Sequence, residues 1–402
     1  MSKVRGITRI ALILLLSSIS SSLRAQSLPP WAGEVTQLIQ NGGVYVEGQD
    51  GKPLFDYQGN TGFIPASTMK LVTGLISLET LGPDYRFKTD FYLDKANNLY
   101  VKGYGDPFLV SEEFPLIVAG LKKSGLQKVN QIFLDDSYFE VIKVPGSAAS
   151  LNPYDALNSA LSANFNTIFV VKSGDGQVQS AEEQTPITEL SKLLAQKAPV
   201  GKSRINLAAH PEESLLYVGY LLKAFLEKDG VPVTGSIQRG QVPAGAPVYY
   251  SHLSSKKLDQ VIQPMMKYST NFITNQLFLT LGVQKYGPPA NLAKGKKVVT
   301  EYLQTQLGFK DFNIDEGSGL SRQNRLSPAQ LVRVLRAFEK YKNLLPEKLD
   351  AILAKTGTLT GVNSLAGYFN SSQFGMVRFA IILNQGPVNR EKIAKVLYAN
   401  LH

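Results

Sequence analysis

Residues 65–81 read Pro65-Ala-Ser67-Thr-Met-Lys70-Leu-Val-Thr-Gly-Leu75-Ile-Ser-Leu78-Glu-Thr-Leu81, and Gly82-Pro83 follows. The spacing predicts a helix over 67–81. Leu71, Leu75 and Leu78 recur on one face with Val72 and Ile76 beside them, and Gly82-Pro83 supplies the stop. An apolar surface this wide marks a buried, central helix. Its first turn carries Ser67 and Lys70, and the i, i+3 spacing puts both side chains on one face.

Outward from this helix the texture changes twice. On the N-terminal side, 43–47 and 53–57 alternate apolar and polar residues around Asp50-Gly51, the signature of a β-hairpin. On the C-terminal side, from about 84 to 245, short strands such as 86–93 and 131–134 alternate with turn signals such as Lys95-Ala-Asn-Asn98. A helix over 211–228 is too short in its apolar stretch to span a bilayer and reads as a core or interdomain helix. The last third alternates helical patterns (258–267, 271–281, 292–307, 328–341) with two strands, 364–370 and 378–383. It closes on a helical pattern at 389–401, whose Ile393, Val396, Leu397 and Tyr398 suit packing on a sheet. The layout predicts a split domain: 26–83 and 246–402 form one unit, and 84–245 is a β-rich insertion.

A chain of 402 residues exceeds what one core usually holds, so more than one domain is expected. Residues 1–25 set Lys3, Arg5 and Arg9 before the apolar run 10–16 and end at Leu23-Arg24-Ala25, a signal-peptide profile with maturation near Gln26. Removing that leader takes away four basic residues and no acidic one, lowering the formal charge from +10 to about +6. The expected location is therefore outside the cytoplasm, in the periplasm, soluble or loosely wall- or membrane-associated, with no stable membrane span after cleavage. No dense Lys/Arg run with interleaved aromatics occurs, which argues against nucleic acid as a partner. Cysteine is absent, which excludes disulfides, thiol catalysis and a lipidated N-terminal Cys.

Histidine is scarce as well. His210, His252 and His402 have no carboxylate or second His at ligand spacing, and the chain has no G-x-S-x-G elbow and no Walker loop. A nucleophile must therefore be activated without histidine. A serine can pass its proton to a lysine if the lysine is neutral, hence desolvated or crowded by another cation. Ser67 and Lys70 meet this requirement, and the helix start leaves the Ser67 N–H free to donate to an oxyanion. Ser269-Thr-Asn271 places a hydroxyl and an amide between two helical patterns. Lys355-Thr356-Gly357-Thr358 offers a cation, hydroxyls, a glycine that lets backbone approach, and the Thr358 N–H as a second oxyanion donor. Each motif alone recurs by chance. Ser254-Ser-Lys-Lys257 repeats the first, Ser150-Leu-Asn152 and Ser162-Ala-Asn164 the second, and Lys123-Ser-Gly125 and Lys172-Ser-Gly174 the third.

In this order, Ser67-x-x-Lys70, Ser269-x-Asn271 and Lys355-Thr-Gly357 resemble the three active-site boxes of penicillin-binding proteins and serine β-lactamases. The flanks Gly103-Tyr-Gly-Asp-Pro107, Gly317-Ser-Gly-Leu-Ser-Arg322, Leu326-Ser-Pro328 and Ala366-Gly-Tyr368 sharpen the resemblance. They point to low-molecular-mass D-alanyl-D-alanine carboxypeptidases/endopeptidases of the penicillin-binding protein 4 type, a family with a large insertion between its first two boxes. The chain departs from that pattern at Asn275-Gln276, where the family often has Ala-Glu, at Glu316, where Asp is common, and in an insertion that is short for the family. The resemblance implies an α+β serine β-lactamase/DD-peptidase fold, an antiparallel sheet flanked by helices with a helical cluster, carrying the β-rich insertion. It implies Ser67 as the acylated nucleophile, Lys70 as its base, and Ser269 with Asn271 as proton relay and substrate holder. Lys355 would crowd Lys70 and, with Thr356, Gly357 and Thr358, bind the terminal carboxylate. Peptidoglycan stem peptides are the implied substrates and β-lactams the inhibitors, with neither metal nor organic cofactor. On this reading Lys70→Ala should abolish acylation without unfolding the chain, because truncating a solvated lysine is cheap. Two alternatives stay open: a β-lactamase or esterase of the same fold, and a non-catalytic wall-binding or β-lactam-sensing protein.

Overall fold

The computed structural model describes residues 29–147, 155–209, 211–349 and 351–402. The leader at 1–25, His210 and the decoy Ser150-Leu-Asn152 lie outside the described residues. A six-stranded antiparallel sheet forms the frame, in the order Glu347–Lys348, Ile352–Leu359, Val362–Ser371, Gly375–Leu383, Gly42–Glu47 and Pro53–Tyr57. The predicted hairpin supplies its last two strands, and Gly42–Glu47 pairs along its other side with Gly375–Leu383, Gly42 opposite Leu383 and Glu47 opposite Arg378.

Side-chain alternation divides the two faces of this sheet. From Gly375–Leu383, Val377, Phe379, Ile381 and Leu383 enter one core while Ala380 and Ile382 enter the other. The first core is closed by the helices Pro30–Gln37 and Arg390–Leu401, with Ile393 and Leu397 fully buried. The second is closed by the helical cluster Lys70–Leu81, Leu258–Tyr268, Asn271–Tyr286, Leu292–Thr305 and Pro328–Phe338. Lys70–Leu81 is the central helix expected: Leu71, Val72, Leu75, Ile76 and Leu78 are all buried. Truncating Leu71, Leu75, Ile76 or Leu78 to Ala costs about 2–5 kcal/mol.

The intervening segment builds a separate core from a five-stranded sheet ordered Tyr250–Leu253, Lys88–Leu93, Leu99–Gly103, Ile132–Asp135 and Ile237–Arg239, whose edge strand Tyr250–Leu253 is drawn from just beyond residue 245. Two of its joins are parallel, Leu99–Gly103 with Ile132–Asp135 and Ile132–Asp135 with Ile237–Arg239. Parallel neighbours need long crossovers, which are usually helical. Glu113–Lys123 lies on the first crossover and Pro211–Lys228 on the second, which gives the 211–228 helix its role. A three-stranded sheet, Val178–Ser180, Thr167–Lys172 and Gly201–Asn206, completes the segment.

Candidate active site

Ser67 sits in a 3-10 turn, Ala66–Met69, that runs directly into the helix Lys70–Leu81. Three residues after Ser67, Lys70 is fully buried, and its Nζ meets three oxygens: Ser67 Oγ at 3.0 Å, Asn271 Oδ1 at 2.7 Å and Ser318 O at 2.8 Å. A neutral amine has two N–H groups and one lone pair. The Asn271 and Ser318 oxygens are pure acceptors, so they take the two N–H groups, and the lone pair is left for the Ser67 hydroxyl. Burial also drives Lys70 from the ordinary 10.5 down to about 7, partly offset by the charge of Glu316. The lysine is not solvated, so the expectation that Lys70→Ala would be cheap is corrected: truncation strands two buried oxygens.

Ser269 caps the helix Leu258–Tyr268 in the left-handed region (φ 59, ψ 39), and Asn271 opens the next helix. This reversal brings both side chains to the same cleft as Ser67. Lys355 lies on the strand Ile352–Leu359, is 1% exposed, and donates to Ser269 Oγ at 2.9 Å and to its neighbour's carbonyl, Thr356 O, at 2.7 Å. Its amine is pushed down to about 6 by burial first, then by the charges of Lys70, Lys348 and Arg390. Glycine at 357 is required by close approach: a Cβ there would stand 2.8 Å from Ser67 N and 2.9 Å from Pro65 O. The strand's outer edge pairs with Glu347–Lys348 only at Ile352 and Leu353, so this sheet places no further strand beside 355–359.

The cleft measures about 300 Å³, and Ser67, Ser269, Asn271, Gly319, Thr356 and Thr358 are on its wall. A larger apolar pocket of about 640 Å³ shares Asn271 and is walled by Phe108, Phe165, Tyr268 and Phe272. Phe165 has φ 57 and makes edge-to-face contacts with Phe108 and Phe272. Among the described residues no group of three or more His, Asp or Glu side chains is placed to hold a metal ion.

Two contributors escaped sequence reasoning. Arg390 donates to Gly357 O and to Thr358 Oγ1, fastening the end of the Lys355 strand, and nothing in its local sequence marks it. Glu316 is fully buried and accepts hydrogen bonds from the backbone of Ser318, Gly319 and Ser321 and from the side chains of Ser318, Asn324 and Asn275. The departures at Asn275 and Glu316 are thus in contact, which was the signal available in the sequence. The decoys serve structure instead. Ser255 bonds Glu113 and Lys257 bonds Asp84. Asn164 bonds Ser111, Lys172 bonds the Gln196 carbonyl, and the Ser124 carbonyl accepts from Tyr249. His252, without a neighbour in sequence, forms a buried 2.8 Å pair with Glu113.

Compared with known proteins, residues 34–348 and 346–400 match the D-Ala-D-Ala carboxypeptidase 3 (S13) family. The chain belongs to that family. Membership makes it a serine-class peptidase, and its fold is that of the serine β-lactamases and DD-peptidases. It is 26% identical to D-alanyl-D-alanine carboxypeptidase DacB of Haemophilus influenzae, over 92% of this chain and 93% of that one. It is 26% identical to the D-alanyl-D-alanine carboxypeptidase of Actinomadura sp. R39, over 86% and 77%. The crystal structure of penicillin binding protein 4 (dacB) from Haemophilus influenzae superposes with a TM-score of 0.72 at 23% identity, covering 89% of this chain and 94% of that one. A second structure of that protein, complexed with a β-lactam, gives 0.70 over 92% and 98%.

Proposed function

We propose that this S13 peptidase cleaves the D-Ala-D-Ala bond of peptidoglycan stem peptides through an acyl-enzyme on Ser67. The observation that carries this reading is the Lys70 amine, with two N–H groups committed to Asn271 and Ser318 and its lone pair left for Ser67 Oγ. Ser67 Oγ attacks the carbonyl carbon of the penultimate D-Ala and its proton passes to Lys70. The Ser67 and Thr358 N–H groups stabilise the oxyanion, as a pre-set donor pair does in acyl transfer. The C–N bond then breaks, and Ser269, held by Lys355, relays a proton to the departing D-alanine amine. Water hydrolyses the ester and restores Ser67.

Lys355, Thr356 and Thr358 receive the terminal carboxylate, and the open strand edge receives the peptide backbone. An endopeptidase substrate presents a cross-linked chain at the same place. Penicillins acylate Ser67 because their amide occupies the same position and the leaving nitrogen stays tethered. Export to the periplasm, directed by residues 1–25, belongs to this reading. Among the described residues no helix is long and apolar enough to cross a membrane.

The test is mass spectrometry after incubation with benzylpenicillin, with peptide mapping. One persistent adduct on Ser67 is the expected result. Rapid turnover to penicilloic acid would assign a β-lactamase instead, and folded protein with neither adduct nor turnover would overturn the catalytic reading.

A further inference from the structure

Glu316 occupies an unusual position for a carboxylate. It is fully buried, and each oxygen accepts three hydrogen bonds. Oε1 receives Gly319 N, Ser321 N and Asn324 Nδ2, and Oε2 receives Ser318 N, Ser318 Oγ and Asn275 Nδ2, at 2.6 to 3.2 Å. All six donors are neutral. Neutral donors satisfy the lone pairs of a buried carboxylate without placing a counter-charge against it. The loop it organises presents the Ser318 carbonyl that binds Lys70 Nζ. Glu316 therefore adjoins the lysine through a single residue, and its field reaches that amine and raises its basicity.

We propose that the Glu316 carboxylate is the counter-charge for the Lys70 ammonium that forms when Ser67 gives up its proton. Proton transfer creates a cation on an amine that is fully buried and whose other contacts, Asn271 Oδ1 and Ser318 O, are neutral. A fixed anion behind Lys70 stabilises the new charge as it develops, without reorganisation. Glu316 touches no reacting atom and is a positioning residue. Nearby charged groups are otherwise engaged: Asp315 accepts from Ser321 Oγ, and Arg322 donates to Thr360 O. This inference rests on the proposed role of Ser67 and Lys70.

The rate of benzylpenicillin acylation of the full chain, measured against pH, separates the two ideas. Acylation needs neutral Lys70, so the native rate climbs through an acid limb. In Glu316→Gln the limb is expected to move down by about one pH unit, the shift typical of losing one nearby opposite charge. The plateau is expected to fall about 10-fold. Glu316→Asp, which keeps the charge, is expected to keep the native limb. A Gln variant that is slower but has an unmoved limb makes Glu316 purely architectural and overturns the proposal. Should Gln not fold, the isosteric pair Glu316→Asp and Glu316→Asn makes the same comparison, and coincident limbs overturn it. A folded Asp variant with neither neutral variant folding is again an architectural result and overturns it. Native protein that never acylates Ser67 would instead remove the underlying reading.

Discussion

On the proposed mechanism, Lys70 joins catalysis and stability in one side chain. Lys70→Ala is expected to lower penicillin acylation by about 10³-fold, the scale of a lost general base. It is also expected to cost about 1–3 kcal/mol, because Asn271 Oδ1 and Ser318 O lose their donor. Fluorescent penicillin labelling reads the first effect and chemical denaturation the second. The two depressed lysines also set a pH signature. Unfolded, both stay protonated up to the ordinary 10.5; folded, Lys70 loses its proton near 7 and Lys355 near 6. The unfolded chain binds more protons between those limits, so these two groups make stability rise with pH from about 6–7 towards 10. Denaturation midpoints across that window check the sign. Gly357→Ala would push a methyl against Ser67 N and Pro65 O. Acylation should fall at least 10-fold, with about 1–3 kcal/mol lost to overpacking.

At the scale of the element, the turn between the helices Leu258–Tyr268 and Asn271–Tyr286 carries a prediction of its own. Ser269 is held at φ 59, a conformation glycine adopts freely. Ser269→Gly should therefore leave stability within about 1 kcal/mol of native while acylation drops at least 10-fold, since the hydroxyl that meets Lys355 is gone. A stability loss well above that, measured by denaturation, would show that the hydroxyl and not the backbone holds the turn. The elements legible in sequence were those with a strong period. The central helix, the first hairpin and the helix Pro211–Lys228 read directly from their apolar spacing. The strand Ile352–Leu359 did not, because its Lys-Thr-Gly-Thr stretch carries no apolar alternation and its burial comes from the sheet around it. The parallel joins of the second sheet were equally hidden, since pairing between distant strands leaves no local period. Site residues showed the same split. The three boxes were readable as spaced motifs, whereas Arg390 and the Ser318 carbonyl act through contacts made only by the fold.

Across the whole molecule, the first and last segments of the described chain share one core. Gln40 N donates to Gln385 Oε1 across 345 residues of sequence. Trp31, the single tryptophan of the chain, packs on Phe55 in the core that also holds Leu397. Leu397→Ala is expected to cost about 2–5 kcal/mol. Because the same sheet carries Lys355, Trp31 fluorescence and penicillin labelling should be lost together in a denaturant titration. Labelling that disappears well before the fluorescence changes would show the cleft to be uncoupled from the sheet. The position of Gly42–Glu47 between Pro53–Tyr57 and Gly375–Leu383 also imposes an order of assembly. A chain emerging N-terminus first carries Ser67 and Lys70 long before residues 355–383 arrive. Until then the lysine is hydrated, keeps its ordinary basicity and cannot take a proton from serine near neutral pH. On the proposed mechanism the nascent chain is therefore latent, and the last strands to be made arm it.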